Sequence, residues 1–386
     1  MKEPLTHQFR DVARGRALQG RLDRLMEGAG RRVTVMHVCG SHEQAIARFG
    51  LRARFPSNLA VLMGPGCPVC VTDTQQIEAC VALADQGVRI LTYGDMLRVP
   101  GPSGSLEEAR ARGARVEVIY AATQAVELAR AAGEPVVFFA TGFETTAVAT
   151  ASILLGDVPP ALSVLSAHKW VPAAMEVVAR DPETRVEGYL AAGHAATITG
   201  HGLFEPFVAR HRRPVVVAGF EPLDILAGLV RLVEHVLAGE AAVTNAFPRC
   251  VSRDGNRRAL EALFRVFELG DGDWRGIAHV PEGELRLRPA FAAHDATVRF
   301  AGSLAAARDA SPTSRIDESA CRCGAIMTGR AQPTDCPLFG RGCRPETPVG
   351  ACMISTEGVC RIWHEHGVDG TSPARDGQPA AEGPRP

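Results

Sequence analysis

Eleven cysteines stand in this chain of 386 residues, and they fall into groups. Cys39, Cys67, Cys70 and Cys80 lie in the first quarter, Cys250 stands alone, and Cys321, Cys323, Cys336, Cys343, Cys352 and Cys360 crowd together near the end. Thiolates are soft metal donors and redox groups, so two separate sites of metal or redox chemistry are implied. The stretch GPGCPVC, from Gly64 to Cys70, sets two cysteines three positions apart, where two prolines and two glycines argue for a loop. Such a pair cycles between dithiol and disulfide, or supplies half of a zinc site. Redox or exchangeable-metal use is the better reading, because the other half of a zinc site would have to be Cys39 with His42, which leaves no open position. The following run, TDTQQIEACVALA, reads as a helix capped by Thr72 or Asp73, whose positive end would favour a nearby thiolate. Cys80, on the apolar face of that helix, and Cys250, in FPRCVS, read as packed core thiols.

Among the terminal cysteines, Cys321, Cys336, Cys343 and Cys360 are separated by fourteen, six and sixteen residues, with Cys323 and Cys352 left over. Four thiolates suit tetrahedral zinc or a cubane iron-sulfur cluster. The paired knuckles usual for structural zinc are missing, and wide spacing threaded with proline and glycine is better suited to wrapping a bulky cluster.

The elements that must position these thiols follow from the apolar pattern. RVTVMHVC, NLAVLMG, VRILTYG, RVEVIY and PVVFFATG are short β-rich runs, each followed by helical spacing, and the pattern restarts with ALSVLSAH, EGYLAAG and RPVVVAGFE. Strand and helix in alternation imply an α/β fold with mainly parallel sheets flanked by helices. The expected division is an α/β domain over 30–156, a second over 157–240, and a small, mostly helical or irregular domain over 241–366, on which the amino-terminal helix within 1–29 could pack. In it, RALEALFRVFELGD reads as a helix. Residues 367–386, rich in Gly, Pro and Ala, are expected to be disordered. Loops at the carboxyl ends of parallel strands build the binding crevice. Here those loops carry Cys39, His42, Cys67, Cys70, Glu144, His168 and His194, which one cleft could collect. Singly, His42 reads as a surface histidine and Glu144 as a helix-dipole partner, and His168, Lys169, His194 and His201 are weak signals.

Hydrophobic residues make up 46% and charged residues 22%, with 42 basic against 43 acidic side chains, an ordinary globular balance that points to neither nucleic acid nor an anionic membrane. No run has signal-peptide or membrane-span character, so a cytoplasmic protein is expected.

Taken together, CGSHE, GPGCPVCVT, TGFETT and the terminal pattern P..C.LFG..C.PE.PVG.CM.S.EG.C closely resemble the HypD family of hydrogenase maturation factors, over residues 30–366. The resemblance implies that Cys321, Cys336, Cys343 and Cys360 hold a 4Fe-4S cluster. It also implies that Cys39 binds the iron of an Fe(CN)2CO unit together with a cysteine of a small HypC-type chaperone, and that Cys67 and Cys70 are redox-active thiols. A HypE-type partner would deliver cyanide from a thiocyanate, the hydrogenase large subunit would be served indirectly, and His42 and Glu357 would handle protons or steady the ligands. Two departures, Ser41 for a usual Thr and GIAHVPEGEL where Pro-Ser-Gly is typical, touch no expected ligand. Chemistry alone also admits an iron-sulfur thiol-disulfide oxidoreductase acting on another protein, or a zinc-stabilised binding module.

Overall fold

The computed structural model describes residues 9–310 and 320–367. Each of the eight β-rich runs becomes a strand: β1 (Val33–His37), β2 (Leu59–Met63), β3 (Arg89–Thr92), β4 (Val116–Val118), β5 (Val136–Gly142), β6 (Leu162–His168), β7 (Gly188–Ala192) and β8 (Val215–Ala218). A ninth, β9 (Val243–Asn245), is too short and too polar to announce itself. All nine are parallel to their neighbours, in one sheet of order β2-β1-β7-β8-β9 and another of order β4-β3-β5-β6. The unbroken apolar run of β5 is buried along its whole length, as a strand covered on both faces requires.

The two sheets interleave along the chain instead of dividing near residue 157. β6, expected to open a second domain, pairs with β5 from Val136↔Leu162 to Gly142↔His168. β1 and β2, expected in the first domain, share a sheet with β7, β8 and β9. Periodicity identifies a parallel strand but not its neighbour, because buried strands of two sheets carry the same Val/Ile/Leu pattern.

The helix Val12–Ala29 is capped at Asp11, whose carboxylate accepts from Arg14 N, and ends at Gly30 in the left-handed region (φ 61°). It packs on the helix Pro222–Ala238 of the first sheet. Its buried Leu22 and Met26 join Val33, Val35, Ile225 and Leu229 in one apolar cluster, each full burial contributing about 1.5–3 kcal/mol.

After residue 240 the structure departs further from expectation. The helix Arg257–Val266 stops where Phe267 starts an antiparallel hairpin of β10 (Phe267–Trp274) and β11 (Ala278–Leu287). Phe267, Trp274, Val280 and Leu285 are buried, but a register shift between Gly270 and Gly272 breaks the alternation that would mark a strand in the sequence. From Cys321 onward the described chain is irregular, with short helices at Cys323–Met327, Ala351–Ile354 and Val359–His366. The tail read as disordered lies beyond Gly367, outside the described residues.

Candidate functional site

In the first sheet the chain runs from β1 outward to β2, then re-enters on the other side of β1 with β7. This reversal of strand order opens a crevice at the carboxyl ends of β1 and β7. Cys39 follows β1 and His194 follows β7, and they meet across it, Cys39 Sγ lying 3.3 Å from His194 Nε2. The His194 ring stacks on Phe220, centroids 5.0 Å apart, and burial lowers its basicity, so the neutral imidazole offers a lone pair to the thiol. Burial also pushes the Cys39 thiol up to about 12, opposed by the amides of His42 and Ser41 at the start of the helix Gly40–Arg48 and reinforced by the charge of Glu357.

His42 does a different job from the one its motif suggests. Its Nε2–H donates to the carbonyls of Gly219 (3.0 Å) and Ala218 (3.3 Å), and its ring lies against the same Phe220, 4.8 Å between centroids. Burial pushes it down to about 3, so it is neutral near pH 7. Its backbone, rather than its ring, faces the Cys39 sulfur. Glu357 does approach: Gly40 must be glycine, because a Cβ there would stand 2.6 Å from that of Glu357. Burial and the charge of Asp95 raise the Glu357 carboxyl, and the Ser41 hydroxyl works against them.

The CPVC loop crosses the Cys39 loop in direct backbone contact. Gly40 N donates to Gly66 O at 3.1 Å, and a Cβ on Gly66 would lie 2.2 Å from Cys39 N. The stretch is not loop throughout: Pro68 sits at the first position of a one-turn helix, Pro68–Val71, where a missing N–H costs nothing. Cys67 caps it, its sulfur accepting from Cys70 N at 3.2 Å, and Cys67 and Cys70 form a disulfide buried on all sides. The expected helix follows separately, Thr74–Asp85, with Asp73 at its cap and Cys80 packed in the core as read. Cys250, by contrast, is exposed, because the loop after β9 passes over the surface.

Beyond the disulfide the sulfurs continue. Cys70 Sγ lies 3.9 Å from Ala351 O, and the next residue, Cys352, holds its sulfur 2.7 Å from that of Cys323. Cys323 in turn touches Cys321. Cys321, Cys336, Cys343 and Cys360 face a common interior: burial raises the Cys360 thiol, and the charges of the other three, with Cys323, raise it further. Val349 N donates to Cys343 Sγ at 3.3 Å, so one thiol already has the amide contact that a ligated sulfur uses. Among the described residues no three or more His, Cys, Asp or Glu side chains converge tightly enough for one metal ion.

A family model described as HypD, Hydrogenase formation hypA family, matches residues 15–367. The chain belongs to the HypD family. It is 40% identical over 372 residues to the hydrogenase maturation factor HypD of Azotobacter vinelandii, covering 93% of this chain and 96% of that one. Its identity to the HypD of Rhizobium leguminosarum bv. viciae is 39% over 375 residues (93% and 94% covered), and to that of Rhodobacter capsulatus 37% over 371 (93% and 97%).

Glu144 and His168 stay with the other sheet. Glu144 Oε1 accepts from Val171 N at 2.9 Å, and burial holds its carboxyl up at about 7. His168 Nε2 bonds Thr150 Oγ1 at 2.9 Å. Lys169 is buried in an ion pair with Glu284, one of the unusual residues of VPEGEL. Sequence reasoning missed two features. Cys323 and Cys352, left over in the spacing argument, form a pair. Glu43, the last residue of CGSHE, is fully buried and bound by His37, Arg52 and Trp363. The excess of cysteines over four ligands signalled the first, whereas nothing local signalled Trp363.

Proposed function

We propose that this chain is the scaffold and redox factor on which an Fe(CN)2CO unit is assembled for hydrogenase. The reading is supported by two sulfur pairs, Cys323 with Cys352 and Cys67 with Cys70, joined by backbone contacts: Cys70 Sγ lies 3.9 Å from Ala351 O, and Gly66 O accepts from Gly40 N beside Cys39. Cys39 receives iron as cargo, shared with a cysteine of a HypC-type chaperone. Its thiol is held neutral by burial until a soft cation displaces the proton, which His194 Nε2 is placed to accept.

Release of cyanide from a protein thiocyanate is a reduction: R–S–CN takes two electrons and one proton to give R–SH and cyanide. Cys67 and Cys70 as a dithiol supply two electrons and two protons on closing to the disulfide, leaving one proton over. Reopening it requires a thiolate from within, because both sulfurs are buried, and Cys352 is on the adjacent segment. A 4Fe-4S cluster held by Cys321, Cys336, Cys343 and Cys360 would supply electrons one at a time when bound.

The test is anaerobic co-expression with HypC-type and HypE-type partners, followed by infrared and Mössbauer spectra. Bands of cyanide and carbonyl with a low-spin iron on this chain support the reading. A cluster without them, with both partners present, overturns it.

A further inference from the structure

A cavity of about 450 Å³ opens beside the terminal cysteines. Cys321 and Cys323 line it, whereas Cys336, Cys343 and Cys360 do not, so it is not the space that the four thiols enclose. Arg275, Arg322 and Arg330 also line it, and no carboxylate among the described residues does, although Arg330 reaches Asp181 (3.9 Å) and Glu183 (3.7 Å) outside the cavity. Its size is that of a small-molecule site. Cys323 is the more accessible of its pair and Cys352 is buried. Arg275 is itself nearly buried, its Nη1 donating to Pro100 O at 3.1 Å and its backbone N to Val71 O at 3.1 Å, beside the CPVC turn.

We propose that this cavity is the entry port for an anionic low-molecular-weight thiol that reduces the Cys323–Cys352 pair. The inference rests on the reading of that pair as redox-active. In the oxidised pair the incoming thiolate attacks Cys323 Sγ, the bond to Cys352 breaks, and Cys352 leaves as a thiolate. A second thiolate attacks the external sulfur of the mixed disulfide, releasing the small disulfide and the Cys323 thiolate. Two external thiols thus supply the two electrons, and the Cys352 thiolate remains on the segment whose Ala351 O lies 3.9 Å from Cys70 Sγ. Asymmetric exposure sets which sulfur is attacked, and the arginines select the charge of the reductant.

The test uses the full chain, purified anaerobically and mildly oxidised, with glutathione, 2-mercaptoethanol and cysteamine as anionic, neutral and cationic probes. Reduction of the pair is followed by differential alkylation and mass spectrometry, and rates are corrected for thiolate fraction. Glutathione should react about tenfold faster than cysteamine, and the gap should close in the Arg322→Gln, Arg330→Gln double variant and in high salt. Arg275→Gln should narrow the same gap, since Arg275 lines the same cavity. Equal corrected rates for the probes, or a gap insensitive both to salt and to the double variant, overturn the proposal. The salt series on the unmodified chain decides the matter if the variant does not fold. Iron and sulfide content of the same samples separates the two readings: charge selection without a cluster leaves this one standing, and a cluster without charge selection removes this one alone.

Discussion

Trp363 Nε1 donates to Glu43 Oε1 at 2.8 Å, joining the helix that carries Cys360 to the helix that Cys39 caps. Glu43 is fully buried, and its other bonds go to Arg52 Nη2 (2.6 Å) and His37 Nε2 (2.7 Å), while His37 Nδ1 reaches the carbonyl of Cys39 at 3.1 Å. Arg52 also lies over the Trp363 ring, 4.9 Å from its centroid. One carboxylate therefore ties the helix that carries Cys360 to the loop that carries Cys39.

This lock gives the fold an acid limit. Burial alone would raise the Glu43 carboxyl, but the charge of Arg52 and the bond from His37 outweigh it and hold the group at about 2. A carboxyl whose folded value lies below its unfolded one contributes stability above the unfolded value and loses it as pH falls through the folded one. From 4.5 to about 2 that contribution is about 3 kcal/mol. Urea midpoints should fall between pH 4.5 and 2.5 in the unmodified chain. Glu43→Gln should be less stable by a similar amount at pH 7 and should lack this dependence. Trp363→Phe should cost about 1–2 kcal/mol by removing one donor from a buried acceptor.

The two cysteine sites should fail independently. On the proposed roles, Cys39→Ala removes the sulfur that would receive iron and leaves Cys321, Cys336, Cys343 and Cys360 in place, so low-spin iron should disappear from Mössbauer spectra while cluster absorption persists. Cys336→Ala should abolish the cluster absorption and leave the Cys39–His194 geometry in place. Loss of the cluster in both variants sinks the two-site account.

Much of this was legible because it is local. Strand identity, the loops at strand ends and the two cysteine groups follow from periodicity and spacing, and all eight β-rich runs became strands. Partner choice was not legible: β6 and β7 look alike as apolar runs, yet long-range packing sends one to β5 and the other to β1. Contacts such as Cys39 with His194, 155 positions apart, are legible only once the strand order is known. Phe220, which separates the rings of His42 and His194, had no local signal at all.

His194 should govern iron entry at Cys39 without governing the fold. Its neutral Nε2 is the acceptor for the Cys39 proton, so His194→Ala should weaken iron retention by about 10–100-fold in competition with a chelator. His194→Gln keeps an acceptor but no base. It should match the unmodified chain in thermal stability, yet load iron slowly at pH 7 and recover at higher pH. Equal loading by the Gln variant across the pH range would show that the imidazole only fills space.

Glu144 should be a burden at alkaline pH. Its Oε1 is satisfied by Val171 N–H, but Oε2 is buried without a hydrogen-bond partner, so ionisation is opposed and the carboxyl is held at about 7. An acid whose folded value exceeds its unfolded one loses stability as pH rises from the lower value to the higher. Between 4.5 and about 7 that loss is about 3 kcal/mol, complete above pH 7. Glu144→Gln mimics the protonated acid and keeps the acceptor for Val171. It should melt with the unmodified chain at pH 4.5 and clearly above it at pH 8. Coincident melting curves at both pH values would mean that Oε2 is hydrated and the carboxylate is accommodated.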